Sequence, residues 1–508
     1  MSASIAICGS RIYDGSGSQP YFGDVVLEDN LIRKISPPGQ LNLTGVEKID
    51  GRGLCLAPGF IDAHGHSDLP LVQYPRADSR ISQGVTTEVC GNCGFSKTIA
   101  STKLEDGCQW TDLASYAEVL NRRQPAINLV ALVGHSTLRT MVIGDQDVPA
   151  KPADIEAMQK ILARALQQGA AGFSSGLWYI PGKFADTAEV AALNSVLKGT
   201  RKPYATHLRD EQGEVVAAIE EAKTIARAGS GILQISHLKT LGQPYWHLLD
   251  RILDSIEAGR REGLKITADR YPYLYNGTSL RMVLPPPLDR IPDIKAFLQN
   301  QDNLQETIAT LQALQLDWDG IVVADTGEER DHDIRGRSIK DIAALWGQTP
   351  EQACCELMLR TYTFGLFRTM CQENLERICR QEWVCAGSDG EVANFNDQGR
   401  RRHPRAFGTF PRFFRTLIQA GCQPQEAIRK MTALPAAVFN LRNRGLIKEK
   451  AIADLVLFNE DKLDAKMDFL NPHQPAQGIE RVIVAGKTAF LAENPEFRGN
   501  NGKFLQVL

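Results

Sequence analysis

Short apolar runs recur through the middle of the chain, and longer helical patterns separate one run from the next. Amphipathic stretches such as DIEAMQKILARALQQG and VVAAIEEAKTIARAG lie between the runs. Alternating strands and helices indicate a parallel sheet, so eight units predict an α/β fold built on a (β/α)8 TIM-like barrel. The eight runs are centred on residues 59–66, 85–92, 127–135, 170–177, 204–210, 232–238, 266–273 and 383–389.

Both ends of the chain show a different pattern. The stretches SIAICGSRIYDGSG, DVVLEDNLIRKI and VEKIDGRGLCLAP alternate apolar and polar positions between turns, as antiparallel strands do. The same alternation returns in ADLVLFNED and ERVIVAGKTAFL. Because chain ends often lie close together, we expect residues 1–57 and 440–508 to form one small β-sandwich beside a catalytic barrel of residues 58–439.

About 110 residues separate the seventh run from the eighth, which is far more than one crossover helix needs. This segment contains PPPLDRIPDIKAFLQ, a strand signal in DGIVVADTG, and helical patterns in IKDIAALWG and PEQACCELMLRTY. We predict an insertion over residues 283–350 between barrel strands seven and eight. An insertion on the catalytic rim is well placed to act as a lid.

Composition excludes several classes of partner. The 508 residues are 43% hydrophobic and carry a formal net charge of -3, which offers no global field for nucleic acid or an anionic membrane. No run approaches the roughly 18 apolar residues of a membrane span, and MSASIAICGSRIYDG lacks the features of a secretory leader. The eleven cysteines are scattered and odd in number, which favours a reducing compartment. We expect a cytoplasmic protein that binds a small molecule, and the sequence leaves its oligomeric state open.

Histidines concentrate where the predicted strands end. Five of the nine lie there, at His64, His66, His135, His207 and His237. The carboxyl ends of barrel strands are where such enzymes place their catalytic groups, so we expect these side chains to converge.

A ring of possible metal ligands follows from the same positions. Cys93 follows the second run directly and Asp389 closes the eighth within AGSDG. Together with four of the histidines they supply nitrogen, sulfur and oxygen donors suited to Zn²⁺. The predicted ring is His64, His66, Cys93, His207, His237 and Asp389.

The stretch QGVTTEVCGNCGFS holds Cys90 and Cys93 in a Cys-x-x-Cys, a spacing used by redox pairs and by structural zinc alike. A zinc ribbon needs a second Cys-x-x-Cys, which the chain lacks. A thioredoxin-like pair opens a helix, whereas this pair follows a predicted strand. Cys93 is therefore the expected ligand, and Cys90 is a buried strand residue.

Each ligand also has an ordinary structural interpretation. A single histidine at a strand end is more often a hydrogen-bonded structural residue than a ligand, and Asp389 alone could cap the segment that follows it. The whole set favours a metal, because several polar groups buried together without purpose would be costly.

The chain resembles the amidohydrolase superfamily, and within it the N-acyl-D-amino-acid deacylases, also called D-aminoacylases. APGFIDAHGHSD is similar to the superfamily's first metal-binding strand. The motifs occur in the family's order over roughly residues 1–490. The more specific ones are QGVTTEVCGNCGFS, LVGHSTLR, GFSSGLWYIPG, YATHLRDE, ISHLKT, DRYPYLYNGTSL, GSDG, HPRAFGTFPRFF and MTALPAAVFNLRNRG.

This resemblance implies zinc-dependent hydrolysis of the amide bond of N-acyl-D-amino acids, which releases a D-amino acid and a carboxylate. Cys93, His207 and His237 resemble the ligands of a tightly bound zinc. His64 and His66 resemble a second, weaker metal position. The resemblance also assigns the role of catalytic acid and base to Asp389.

The resemblance extends to the group that holds the substrate's α-carboxylate. Arg405 of HPRAFG is its centre, with Tyr271 of DRYPY, Ser279 of TSL and the pocket lysine Lys239 beside it. Arg281 follows TSL, and two interpretations stay open: it favours an acidic substrate side chain, or it forms an ion pair with a carboxylate of the insertion.

One difference from related amidohydrolases bears on which amide bonds the protein cleaves. Dihydroorotases and hydantoinases usually bridge two metals with a carbamylated lysine on the fourth strand, but AAGFSSGL contains no lysine. Hydrolysis of cyclic amides is therefore disfavoured. Cleavage of a dipeptide or of a cyclic amide such as a hydantoin or dihydroorotate is the alternative to the leading prediction. A non-catalytic scaffold is disfavoured, since every ligand is present.

Overall fold

The computed structural model describes residues 4–396, 402–469, 471–494, 497 and 499–508. Both ends of the chain build one mixed sheet of eight strands. Strand β5 from the N-terminal segment pairs antiparallel with β19 from the C-terminal segment and so joins the two ends. The strands are β1 (Ser4–Ile12), β2 (Tyr21–Glu28), β3 (Leu31–Ser36), β4 (Glu47–Asp50), β5 (Cys55–Pro58), β19 (Leu455–Phe458), β20 (Ile479–Val484) and β21 (Lys487–Leu491).

The middle of the chain forms a parallel barrel, and all eight strands predicted for it are confirmed. Neighbours pair in the order β18-β14-β13-β12-β11-β10-β7-β6. Strands such as β7 and β10 are buried along their whole length, which explains why they appear in the sequence as continuous apolar runs. The strands are β6 (Phe60–Asp62), β7 (Val85–Cys90), β10 (Asn128–Gly134), β11 (Gly172–Gly176), β12 (Tyr204–His207), β13 (Ile232–Ile235), β14 (Lys265–Arg270) and β18 (Val384–Ala386).

The barrel closes between its first and last strands. The Ala63 amide donates to the Ala386 carbonyl at 3.2 Å, just beyond the end of β6. Further along, the Asp389 amide donates to the carbonyl of His64 at 2.7 Å, and the His66 amide donates to the carbonyl of Gly390 at 2.8 Å. Closure therefore continues into the segments that carry the predicted ligands.

Helices surround the barrel and pack against it. Helix α5 buries Met158, Leu162, Ala165 and Leu166, which share one face at helical spacing. A short hairpin of β8 (Thr102–Lys103) and β9 (Gln109–Trp110) lies before α3. The barrel helices are α1 (Pro70–Gln73), α2 (Asp78–Ile81), α3 (Leu113–Arg123), α4 (His135–Val142), α5 (Pro152–Gln167), α6 (Thr187–Asn194), α7 (Val215–Ala228), α8 (Leu249–Arg261), α13 (Gln372–Arg380), α14 (Arg405–Gln419), α15 (Pro424–Met431) and α16 (Ala433–Val438).

The insertion between barrel strands seven and eight has a sheet and an apolar core of its own. Its strands β15 (Tyr275–Ser279), β16 (Ile321–Asp325) and β17 (Phe364–Arg368) pair antiparallel in the order β15-β17-β16. The core includes Leu298, Leu311, Val323, Ile339 and Leu357. Its sheet extends beyond residues 283–350 on both sides. The helices are α9 (Ile294–Leu298), α10 (Gln301–Ala313), α11 (Ile339–Trp346) and α12 (Pro350–Met358).

Aromatic side chains join the terminal sheet to the barrel next to the first ligand strand. The Phe60 ring lies 5.8 Å from the Phe410 ring and 6.4 Å from the Phe458 ring. The last described residues pack on the barrel, where Leu129 donates to the Lys503 carbonyl at 3.0 Å. Among the described residues no helix is both long enough and apolar enough to span a bilayer.

Candidate metal centre

The predicted ligands all lie at the carboxyl end of the barrel. His207 is the last residue of β12, and the others follow β6, β7, β13 and β18 within four residues. Three of them, Cys93, His237 and Asp389, have positive φ angles of 51°, 36° and 49°. This conformation is costly for residues other than glycine, and such strain clusters at functional sites. Each turn directs a side chain into the barrel mouth instead of continuing the strand.

A glycine makes room for the thiol-bearing segment. A Cβ atom at Gly176, the last residue of β11, would lie 2.1 Å from the carbonyl oxygen of Cys93. Any larger residue there would displace the segment that carries the thiol. The GFSSGL motif thus has a steric reason for its second glycine.

Cys93, His64, His207 and His237 form a tight cluster. The Cys93 sulfur lies 3.4 Å from His64 Nε2, 3.9 Å from His207 Nδ1 and 3.6 Å from His237 Nε2. Ligands of one tetrahedral zinc ion are separated by about 3.3–3.8 Å, so these sulfur–nitrogen distances suit a shared ion. His207 Nδ1 and His237 Nε2 are closer, at 2.8 Å.

Cys93 and Asp389 are the members of the ring that can lose a proton, and both carry negative charge. Burial alone raises the pKa of the Cys93 thiol, but the charge of His64 and hydrogen bonds from His207 and His237 hold that pKa well below its usual range. Burial likewise raises the pKa of Asp389, yet Arg405, His237 and His66 bring it well below its ordinary value. A thiolate and a carboxylate are the forms that bind metal.

Asp389 connects this cluster to the second histidine of the His-x-His. Its Oδ1 lies 3.1 Å from His66 Nε2 and 3.5 Å from His64 Nε2. One carboxylate oxygen therefore faces both imidazoles of the His-x-His that follows β6. The described residues contain two groups able to hold a metal ion: His64, Cys93, His237 and Asp389 form one, and His207, Glu211 and His237 form the other.

The expectation that His135 converges with the other histidines is wrong. Its Nε2 lies 2.9 Å from Glu189, and Glu189 also accepts from Arg139 at 2.5 Å. All three side chains are almost fully buried. His135 begins helix α4 and turns toward α6, so it serves the packing of the helical layer and does not reach the metal centre.

Two carboxylates missed from the sequence hold the histidines from behind. Glu211 is 4% exposed, and its Oε1 lies 3.2 Å from His237 Nδ1 while its Oε2 lies 3.7 Å from His207 Nε2. Asp269 lies 3.0 Å from His64 Nδ1 and accepts from the His237 amide at 2.8 Å. Such partners fix the tautomer and orientation of ligand imidazoles. Glu211 follows His207 by four residues in YATHLRDE, so its spacing was visible in the sequence.

Lys239 takes part in this outer arrangement. Its Nζ donates to Glu211 Oε1 at 2.6 Å and lies 2.7 Å from His237 Nδ1. Burial raises the pKa of Glu211, but Lys239 and the two histidines lower it overall, so the carboxylate stays ionised. Lys239 also lines the cavity above the ligands.

Arg405, the first residue of α14, lies on the far side of Asp389. Its Nη1 is 2.8 Å from Asp389 Oδ2, and its guanidinium carbon lies 4.8 Å from the centre of the Tyr271 ring. The Arg405 amide donates to His403 Nδ1 at 2.9 Å, and His403 Nε2 donates to the Tyr275 carbonyl at 3.0 Å. Tyr271 is fully buried, and within the described part of the chain its hydroxyl has no hydrogen-bond partner.

Ser279 and Arg281 make hydrogen bonds that the sequence did not predict. The Ser279 hydroxyl accepts from the Arg281 amide at 3.4 Å and does not line the cavity, whereas Thr278 does. Arg281 donates to the carbonyl oxygens of Ile291 and Pro292, so its guanidinium is bound within the insertion. Asp289 and Asp293 of the insertion also interact electrostatically with this guanidinium. The interpretation in which Arg281 favours an acidic substrate side chain stays a prediction.

A cavity above the ligands is lined by apolar and polar groups. Trp178, Leu241 and Met282 give it an apolar part, while Tyr179 and Thr278 lie beside His207 and Asp389. The Tyr179 ring lies 4.7 Å from the His207 ring, and its hydroxyl is hydrogen-bonded to Thr278. The insertion and a barrel loop therefore meet directly over the candidate metal centre.

Known proteins are similar to this chain in sequence and in architecture. The chain matches the amidohydrolase family over residues 47–255 and 384–489. It is 31% identical over 506 residues to the N-acyl-D-glutamate deacylase of Alcaligenes xylosoxydans xylosoxydans, with 97% of this chain and 95% of that relative covered.

Two solved structures are similar over nearly their full length. One is N-acyl-D-glutamate deacylase from Bordetella bronchiseptica, complexed with zinc and a phosphonate mimic of the tetrahedral intermediate. It has a TM-score of 0.83 and 30% identity, with 100% of both chains covered. The other is a D-aminoacylase with a binuclear metal centre, described by one-metal activation and second-metal attenuation. Its TM-score is 0.82 at 28% identity, with 99% of both chains covered.

Replacing Glu211 with glutamine tests the outer arrangement. The amide is neutral, so it removes the carboxylate charge that lies beside both imidazoles. We expect Glu211→Gln to weaken zinc binding by about 10- to 100-fold, measured by competition with a chelating dye. Glu189→Gln is the matched control, since Glu189 is equally buried and contacts His135 away from the ligands. Equal zinc affinity in the two variants would show that Glu211 does not support the ligands.

Proposed function

The chain belongs to the N-acyl-D-amino-acid deacylase family of amidohydrolases, and from this premise we propose that it hydrolyses the amide bond of N-acyl-D-amino acids. The products are a D-amino acid and a carboxylate. Asp389 is the observation that carries the proposal, because its two oxygens face different partners. Oδ1 faces His64 and His66, and Oδ2 faces Arg405 at 2.8 Å. An amide and an α-carboxylate of one small substrate can thus lie on either side of this group.

Cys93, His207 and His237 would hold one zinc ion tightly. A thiolate and two imidazole nitrogens already face one another, and Glu211 lies behind both rings. His64 and His66, with Asp389 between them, would hold a second metal more weakly. When bound, zinc polarises an acyl oxygen and lowers the pKa of water toward neutrality. One-metal activation is what is described for the similar D-aminoacylase.

Asp389 would move the protons. It is ionised, because Arg405, His237 and His66 keep its pKa low, and it can therefore accept a proton from the attacking water at Oδ1. Oδ2 stays bonded to Arg405, which fixes the direction in which Oδ1 points. The same proton would then pass to the departing nitrogen, since an amine leaves readily only when it is protonated.

Arg405 would bind the substrate's α-carboxylate. A guanidinium fork pairs bidentately with a carboxylate. The Tyr271 ring lies against this guanidinium, and His403 accepts from the backbone amide of Arg405. The Tyr271 hydroxyl, which has no hydrogen-bond partner among the described residues, can donate to the same carboxylate. Thr278 takes the place proposed for Ser279, because Thr278 is the hydroxyl that lines the cavity. Lys239 is bonded to Glu211 and supports the ligands from behind.

Selectivity for the D-enantiomer would follow from three directions. The amide lies at the metal ligands, the α-carboxylate lies at Arg405, and the side chain points toward Trp178, Leu241 and Met282. An L-substrate held at the first two points would direct its side chain elsewhere. The insertion would act as a lid over this cavity, since Lys183 pairs with Asp289 and Arg290 pairs with Asp147 at 2.7 Å across the rim.

Cleavage of cyclic amides remains disfavoured. Strand β11 carries serines at positions 174 and 175 and no lysine, so no carbamylated bridge can form there.

A cytoplasmic location suits this chemistry. The proposed ligand thiolate requires reducing conditions, and all eleven cysteines are free.

A chiral substrate panel tests the proposed function. N-acetyl-D-amino acids with acidic, polar and apolar side chains would be incubated with protein of known zinc content, and the amine released would be measured. We expect turnover of at least one D-substrate and rates at least about 100-fold lower for its L-enantiomer, because one methylene-scale mismatch alone costs 10- to 200-fold. Turnover of hydantoins or dihydroorotate but of no N-acetyl-D-amino acid would contradict the proposal.

Asp389→Asn tests the proton-transfer role. Asparagine keeps the shape and can still hydrogen-bond, but it cannot take up a proton. We expect kcat to fall by about 1,000-fold or more, in the range of acid–base catalysis, while one tightly bound zinc per chain remains. Steady-state kinetics and metal analysis on the same preparation check this. A variant that keeps zinc and retains substantial turnover would remove Asp389 from the mechanism.

A further inference from the structure

A cluster of three charged side chains lies beneath the candidate metal centre and takes no part in it. Asp62, Arg80 and Glu88 are each 0% exposed. Arg80 Nε lies 2.7 Å from Glu88 Oε2 and 3.2 Å from Asp62 Oδ2. We call these three residues the buried ion cluster.

The two carboxylates of the buried ion cluster bind the backbone on both sides of the site. Asp62 accepts from the His64 amide at 3.2 Å, from the Ser388 amide at 2.8 Å and from the Ser388 hydroxyl at 2.5 Å. Ser388 directly precedes Asp389. Glu88 accepts from the amide and hydroxyl of Ser67 at 3.0 and 2.9 Å, which holds the residue after His66.

Arg80 adds the third attachment. Its Nη1 donates to the carbonyl oxygen of Ala406 at 2.8 Å. Ala406 directly follows Arg405 in the first turn of α14. The planar guanidinium therefore joins the helix that carries Arg405 to both carboxylates, and through them to the His-x-His segment and the turn before Asp389.

Close packing leaves this arrangement little freedom. A Cβ atom at Gly65, between the two histidines, would lie 2.1 Å from Glu88 Oε1. The histidine segment is thus in direct contact with the Glu88 side chain. A shift of the cluster would move the backbone of His64 and His66.

Stability alone does not account for the cluster. Desolvating a guanidinium and two carboxylates is costly, and apolar residues of similar volume often replace a buried ion pair without loss of stability. What apolar residues cannot do is accept from His64, Ser67 and Ser388 and donate to Ala406 at the same time. The hydrogen bonds to the flanking backbone are therefore the distinctive property of the cluster.

We propose that Arg80 is a positioning residue, which through Asp62 and Glu88 fixes Asp389 and Arg405 relative to the His-x-His segment. This proposal rests on the function proposed above, in which Asp389 moves the proton and Arg405 binds the α-carboxylate. Arg80 contacts neither the substrate cavity nor the Cys93–His207–His237 ligands. Its loss acts on the geometry of catalysis and leaves the tight zinc in place.

Arg80→Lys tests the proposal, because lysine keeps the charge but cannot span three acceptors. We expect kcat/KM for the best N-acetyl-D-amino acid to fall by about 100-fold, the cost of a misplacement near 1 Å, with zinc content unchanged. Ser388→Ala removes no charge but removes the hydroxyl that donates to Asp62 and His64 and accepts from the Gly390 amide. It should lower kcat/KM by about 5- to 10-fold. The Ser388→Ala variant tests the proposal if Arg80→Lys does not fold.

Arg139→Lys is the matched control. Arg139 is equally buried and pairs with Glu189 at 2.5 Å, yet its contacts lie on α6 and the segment after α4. We expect this variant to lose stability comparable to that lost in Arg80→Lys and less than about 3-fold in kcat/KM. Equal losses of kcat/KM in both variants would show that Arg80 is only a structural ion-pair residue.

A double variant separates positioning from a general loss of fold. In the Asp389→Asn background, adding Arg80→Lys should lower kcat by less than about 3-fold, because the proton-transfer group is already inactive, while displacement of Arg405 would still raise KM. A further 100-fold loss there would overturn the proposal.

Crystal structures give an outcome that does not depend on activity. Arg80→Lys should displace the Asp389 carboxylate by about 1 Å, and Arg139→Lys should not. Unmoved side chains in Arg80→Lys would reject the positioning role whatever the substrate is. Absence of turnover in the wild-type protein would instead reject the function and leave this structural comparison valid.

Discussion

The closing contact between the first and last barrel strands is the constraint on which the rest of the structure depends. Hydrogen bonds from the Asp389 amide to the His64 carbonyl and from the His66 amide to the Gly390 carbonyl, at 2.7 and 2.8 Å, continue the ladder past the ends of β6 and β18. They bring together segments that include His66 and Asp389, which are 323 positions apart in the chain. Without this closure, the Asp389 carboxylate would have no fixed position relative to His64 and His66.

A second requirement is charge balance in a largely buried site. A thiolate and several carboxylates lie close together there, and each has a cation or an imidazole beside it. Asp389 has Arg405, Glu211 has Lys239, and Asp269 has His64. Because charges in a low-dielectric interior interact strongly, the loss of one partner would be felt by the others. The metal ligands are thus one part of a larger charged arrangement.

Much of the fold and of the inner site could be predicted from the sequence. Period and composition revealed the eight strands, since buried parallel strands are continuous apolar runs. His-x-His, Cys93 and Asp389 follow the carboxyl ends of predicted strands, and barrel topology places these ends around one rim. His135 stood at an equivalent position and still does not converge, because it starts a helix and turns toward Glu189. Position at a strand end is therefore necessary but does not decide direction.

The remaining residues could not be predicted for physical reasons. Ser279 and Thr278 are neighbours on β15, and neighbouring strand residues point to opposite faces, so the sequence alone does not show which of the two lines the cavity. Arg281 binds carbonyl oxygens that no pattern of charges reveals. Arg80 and Glu88 resemble surface charges in the sequence, and only the fold shows that they are buried. Long-range partners of this kind depend on packing.

The zinc content of two cysteine variants tests the central claim most directly. Cys90 and Cys93 belong to one Cys-x-x-Cys and are both buried, but only Cys93 faces the histidines, and burial raises the pKa of the Cys90 thiol. After dialysis against a chelator, Cys90→Ala should retain one zinc per chain and Cys93→Ala should retain none. A Cys93→Ala protein that still holds one tightly bound zinc would contradict the ligand set and the account built on it.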